Sequence, residues 1–111
     1  MTIISQLLGF FSDRAKARWL LDRGISQARK KQYKQAIENY SAAIMASGCW
    51  PEIREQALYE RASAYIADGN DKLGAADLES ILSGIETSIN MATMARQALA
   101  KIRCSSSSAQ S

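Results

Sequence analysis

Apolar side chains recur along this chain at the three- and four-residue spacings of helices. Ile3, Ile4, Leu7, Leu8 and Phe11 line one face of a first short segment, with Thr2, Ser5, Gln6 and Gly9 opposite. Ser12 or Asp13 is placed to cap the next helix, because a short side-chain oxygen accepts from the N–H groups that a helix start leaves unpaired. That helix, Ala15 to Lys31, carries Trp19, Leu20, Ile25 and Ala28 and turns near Gln32. Tyr33 to Met45 supplies Ala36, Ile37, Tyr40, Ala43 and Ile44, and Gly48 followed by Pro51 marks a stop and a restart. Pro51 leads into Ile53, Ala57, Leu58, Arg61, Ala62 and Tyr65, closed by the turn formers Asp68-Gly69-Asn70-Asp71. A fourth segment runs from Asp71 through Leu73, Ala76, Leu78, Ile81 and Leu82 to Gly84. A last one, from about Glu86 to Arg103, bears Ile89, Ala92, Ala95, Leu99 and Ile102. The pattern predicts an all-α chain of about five helices plus a short N-terminal helix, with residues 104–111, mostly serine, as a disordered tail.

Composition narrows this without changing it. With 111 residues the chain has a single-domain length, 47% of its residues are apolar, and it has one proline and six glycines. A formal charge of +3 arises mainly in the first third, where Arg14, Lys16, Arg18, Arg29, Lys30, Lys31 and Lys34 face few acids. Phosphate binding needs several cations on one surface, and Arg29-Lys30-Lys31-Lys34 sits at a helix turn, which argues against nucleic acid. No apolar run approaches the roughly 20 residues of a membrane span, and Met1 to Phe11 lacks the basic start and small-residue cleavage site of a signal peptide. Cys49 and Cys104 lie far apart in a chain with no histidine, so the ligands of a zinc site and the spacing of a redox pair are missing, and reduced thiols in a cytosol are expected. The absence of histidine also removes the usual member of acid–base and nucleophile–base pairs, so neither enzyme chemistry nor a cofactor is expected. Trp19 is expected to be buried, and Trp50, in a long loop, to be an exposed contact.

The chain also nearly repeats itself. Leu20-Leu21-Asp22-Arg23-Gly24 returns as Leu58-Tyr59-Glu60-Arg61-Ala62, and Ala43-Ile44 as Ile81-Leu82, at a shared offset of 38 residues. Leu20, Gly24, Tyr33, Ala36, Tyr40, Ala43 and Ile44 in one unit, and Leu58, Tyr59, Ala62, Tyr65, Gly69, Asp77 and Leu82 in the next, fall where the tetratricopeptide repeat family places its large, small, aromatic and closing residues. The chain resembles that family over Ala17 to Gly84, with repeats at residues 17–48 and 53–84 inside a domain of residues 13–103. The offset exceeds the family's usual spacing of about 34, which assigns Ser47 to Trp50 to a longer inter-repeat loop. The resemblance implies antiparallel helix hairpins in a right-handed superhelical stack. Gly24 and Gly74 are then crossing points of close helices, since a mid-helix glycine otherwise costs about 1 kcal/mol relative to alanine. Two units are fewer than the roughly three that bury a continuous face, so the helices at residues 1–12 and 86–103 are expected to cover the ends.

Function follows from the same resemblance. First helices of successive repeats line a concave groove, which here implies Arg18, Leu21, Asp22, Ile25 and Arg29 from one unit and Gln56, Tyr59, Glu60, Ser63 and Ile66 from the other. Such a groove accepts a protein or peptide segment with apolar anchors and some acidic character. The family's carboxylate-clamp mode is argued against, because Leu21, Ile25 and Glu60 stand where it uses lysine and asparagines. The expected role is a cytoplasmic adaptor, scaffold or assembly factor. Two alternatives stay open: a membrane-peripheral scaffold inserting Ile3, Ile4, Leu7, Leu8, Phe10 and Phe11, and a small chaperone for a secreted or assembling protein. The same N-terminal helix can instead contact a partner or a second copy of the chain.

Overall fold

The computed structural model describes residues 2–48, 50–85 and 87–110, with side chains described from Asp13 to Cys104 apart from Cys49 and Glu86. All regular structure among them is helical: α1 (Thr2–Arg29), α2 (Tyr33–Ala46), α3 (Pro51–Ala67), α4 (Asp71–Leu82) and α5 (Ile89–Gln110). Each helix packs against the next in the chain, and α1 also touches α3 and α3 touches α5. The odd-numbered helices therefore share one side of the stack.

Three expectations are corrected at the helix ends. No break occurs at Ser12 or Asp13, and the expected N-terminal helix and the one after it form the single helix α1. Neither glycine nor proline stands between Gly9 and Gly24, and a serine or aspartate inside a helix costs only a few tenths of a kcal/mol. α5 starts at Ile89 instead of Glu86, because the Ser88 hydroxyl accepts from the Met91 N–H at 3.1 Å and so caps the helix there. Its backbone then stays helical through Gln110, across residues expected to form a disordered tail; serine is a mediocre helix former, not a breaker.

The repeat is visible in the turns. α1 ends with Gln32 N–H donating to the Gln27 carbonyl at 2.9 Å and Lys31 N–H to that of Ala28 at 2.9 Å. α3 ends in the same way, Asn70 N–H to Tyr65 at 2.8 Å and Gly69 N–H to Ile66 at 3.0 Å. These paired bonds close a helix only when one residue turns left-handed, and the two that do are Lys31 (φ 61°) and Gly69 (φ 89°), again 38 residues apart. α3 then begins with Pro51 in its first turn, and α4 with Asn70 accepting from the Leu73 N–H at 3.3 Å.

Two apolar clusters follow from this packing. Leu21, Tyr40, Ala43, Ile53, Ala57 and their neighbours fill the space among α1, α2 and α3, while Leu58, Ala62, Leu78, Ile81, Ala95 and Leu99 fill that among α3, α4 and α5. Ile44 packs against both. Small residues set the crossings: a Cβ built on Gly24 would lie 2.5 Å from Tyr40 Cε1, and one on Gly74 would lie 2.7 Å from Ile66 Cγ1 and 3.1 Å from the Ala62 carbonyl. Between the clusters Arg61 ties three helices together. Its Nε and Nη2 donate to Asp77 Oδ2 and Oδ1 at 2.8 and 2.7 Å, Nη1 donates to Ser41 Oγ at 3.0 Å, and its guanidinium lies 5.7 Å from the Tyr65 ring centre. This bidentate pair with the buried Asp77 raises the Arg61 pKa above its ordinary value, through the hydrogen bonds first and against the opposing effect of burial.

The two tryptophans exchange their expected places. Trp50 is half-buried against the first cluster, whereas Trp19 is 57% exposed. Ala57, the counterpart of Trp19 in the second unit, is fully buried beside α2, whereas no described helix covers the same side of α1. No helix among the described residues is long and apolar enough to cross a membrane.

Candidate protein-binding face

α1 and α3 lie side by side in register. Arg14 pairs with Glu52 at 3.6 Å and Arg18 Nη1 donates to Gln56 Oε1 at 3.4 Å, and both pairs are separated by 38 residues, the repeat offset. Equivalent residues of the two helices therefore stand opposite one another, and the helices run parallel. Both contacts are solvent-exposed and each is worth well under 1 kcal/mol, so they report the register more than they create it. The register itself comes from the first buried cluster, to which α1, α2 and α3 all contribute.

Of the ten residues expected to line the groove, nine keep some exposure. Arg18, Asp22, Arg29 and Ser63 are exposed, and Ile25, Gln56, Tyr59, Glu60 and Ile66 are half-buried. Leu21 is the exception and must be removed from the list. It is fully buried in the first cluster, where it contributes about 2 kcal/mol to folding and nothing to a surface. Its counterpart Tyr59 keeps an exposed edge while packing against the second cluster. Arg18 is held on its own helix by Asp22 at 3.7 Å as well as by Gln56 across the gap.

The C-terminal half of this face has a distinct electrostatic character. Burial raises the Glu60 pKa above the ordinary glutamate value, and Arg29 offsets part of that rise. Tyr40 is fully buried, with no hydrogen-bond partner for its hydroxyl among the described residues. Its phenol pKa is pushed up by burial first and by Glu60 second, against Arg29. Glu60, Arg29 and the Tyr40 hydroxyl thus influence one another in a partly dry patch.

Several clefts flank α3 at its N-terminal end. One of about 440 Å³ between α1 and α3 is lined by Arg14, Ala15, Arg18, Glu52 and Ile53. A second of about 290 Å³ lies between α3 and α5 and is lined by Pro51, Glu52, Glu55, Gln56, Ser88 and Met91. Sequence reasoning missed Arg14, Glu52 and Met91 as members of this face. The repeat offset applied one turn further toward the N-terminus would have found the first two, because it pairs residue 14 with residue 52. The turn between α4 and α5 is held against α3 by Thr87, whose Oγ1 lies 2.9 Å from Glu55 Oε1 and 2.7 Å from the Ile81 carbonyl.

Partly exposed apolar groups alternate with cations and carboxylates along these parallel helices. The six apolar residues expected to contact a membrane, Ile3, Ile4, Leu7, Leu8, Phe10 and Phe11, have side chains outside the described residues, as does Cys49. Cys104 is a free, exposed thiol. Comparison with models of protein families, with characterised proteins and with solved structures found no match for this chain.

Proposed function

We propose that this chain is a non-catalytic protein-interaction module of tetratricopeptide type, an adaptor, scaffold or assembly factor that binds a segment of another protein along the face shared by α1 and α3. The observation that carries this reading is the register of those two helices. Arg14 opposite Glu52 and Arg18 opposite Gln56 support it, because equivalent residues of the two helices then face one another, while Ile25, Tyr59 and Ile66 are half-buried and Arg18 and Arg29 exposed. Ile25, Tyr59 and Ile66 supply apolar anchor sites, and the two arginines favour a segment with acidic character. Packing in the two clusters holds this surface in place before a partner arrives, so that the partner bears most of the ordering cost.

Capture of partners from a lysate of the native host, with wild type, Tyr59→Ala and Arg29→Glu compared side by side, tests the proposal. Both variants should lose the same captured protein while keeping wild-type helicity by circular dichroism. Equal capture by all three would remove this face as the site.

A further inference from the structure

The outer edge of α1, which borders the face just described at Ala15, carries a second surface. Ala15, Trp19, Arg23 and Ser26 are all exposed on α1, at the positions that Ile53, Ala57, Arg61 and Ala64 hold on α3. On α3 those four are covered or tied down by neighbouring helices: Ile53, Ala57 and Ala64 are buried in the first cluster, and Arg61 reaches Ser41 of α2 and Asp77 of α4. The repeat therefore shows what its own architecture places against such an edge, namely an antiparallel amphipathic helix lying along it.

The charges on the edge say what kind of helix fits. Arg23 stacks over the Trp19 ring at 5.2 Å and makes no ion pair among the described residues. Asn39 stands where the second unit has Asp77, so the hairpin offers Arg23 no carboxylate of its own. Lys16 and Lys30 flank the stripe and are exposed, and the nearest acid, Asp22, is turned to Arg18. A second copy presenting α5 to this edge would bring cations to cations, because Ile89–Gln110 contains Arg96, Lys101 and Arg103 but neither aspartate nor glutamate. We infer that the Trp19–Arg23 edge of α1 docks an acidic amphipathic helix of another protein, which extends the stack at its N-terminal end.

The α2 sequence of this chain, which covers the equivalent edge of α3, supplies the probe. Synthetic peptides of residues 32–48 carrying Ser41→Asp or Ser41→Lys place an acid or a cation where Ser41 meets Arg61. They are titrated into the full chain bearing Trp50→Phe, so that emission comes from Trp19 alone. The aspartate peptide should shift Trp19 emission to the blue saturably and bind about fivefold tighter than the lysine peptide, and Arg23→Glu should invert that preference. Equal affinities, or a preference that survives Arg23→Glu, would overturn the inference. So would a preference that depends on Arg61 instead, since the peptide would then have displaced α2. Sedimentation showing self-association that Trp19→Ala abolishes would assign the edge to a second copy and overturn it as well.

Discussion

Replacing Gly24 by alanine tests the close crossing of α1 and α2 against helix propensity alone. Alanine favours the helix by about 1 kcal/mol over glycine, so an isolated α1 would gain. In the folded chain the added methyl would stand 2.5 Å from Tyr40 Cε1 and 2.7 Å from Cδ1, and the ring is fully buried. Overpacking of this kind costs about 3 kcal/mol at the upper end of its range, leaving a net loss of about 2 kcal/mol. The second unit shows the remedy: there Ala62 stands at the Gly24 position and Leu78 at the Tyr40 position, a larger and a smaller residue exchanged. Gly24→Ala combined with Tyr40→Leu copies that pairing and also removes the unpartnered Tyr40 hydroxyl. Urea unfolding of wild type, both single variants and the double variant forms a double-mutant cycle, in which a favourable coupling of about 1–2 kcal/mol is expected. Effects that add to within about 0.5 kcal/mol, or a Gly24→Ala chain as stable as wild type, would refute the crossing as described.

Further expectations rest on single contacts. Lys31→Gly should raise stability by about 1 kcal/mol, since Lys31 turns left-handed where the second unit has Gly69, and a lower urea midpoint would contradict the turn. Asp77→Ala should cost about 2 kcal/mol by leaving Arg61 unpaired, whereas Arg61→Met with Asp77→Leu should cost less than Asp77→Ala alone; thermal melts decide between them. Glu60 has a folded pKa above its unfolded one, so its favourable contribution is complete below the unfolded value and is lost as pH rises through the folded value. Glu60→Gln should therefore be more stable than wild type at neutral pH, with the gap closing as pH falls through the folded pKa; a pH-independent gap would contradict this.

Much of the architecture was legible because its causes are local. The helical spacing, Pro51, the Gly48 loop and the offset of 38 residues each act within one or two turns of the chain, and the segment from Tyr33 to Gly84 folds where these signals place it. Gly24 and Gly74 likewise announced close crossings, because a glycine inside a helix otherwise has no physical motive. What was not legible depends on what lies across from a residue. Leu21 and Tyr59 hold the same place in the repeat, yet Leu21 is fully enclosed and Tyr59 keeps an open edge. Trp19 was misjudged for the converse reason: its size suggests a core, but no described helix packs over its side of α1 and it is 57% exposed. The continuous α1 was hidden by Ser12 and Asp13, which cap helices well but do not end them when nothing else does.

Site-specific photo-crosslinking in the native host tests the central claim that the α1–α3 face takes up a protein segment. A benzophenone amino acid is placed at positions 25, 59 and 63 on that face, and at the exposed positions 45 on α2 and 79 on α4. The account predicts one shared adduct to a second protein from positions 25, 59 and 63 and none from 45 and 79. Adducts from 45 or 79 with none from the α1–α3 face would contradict it.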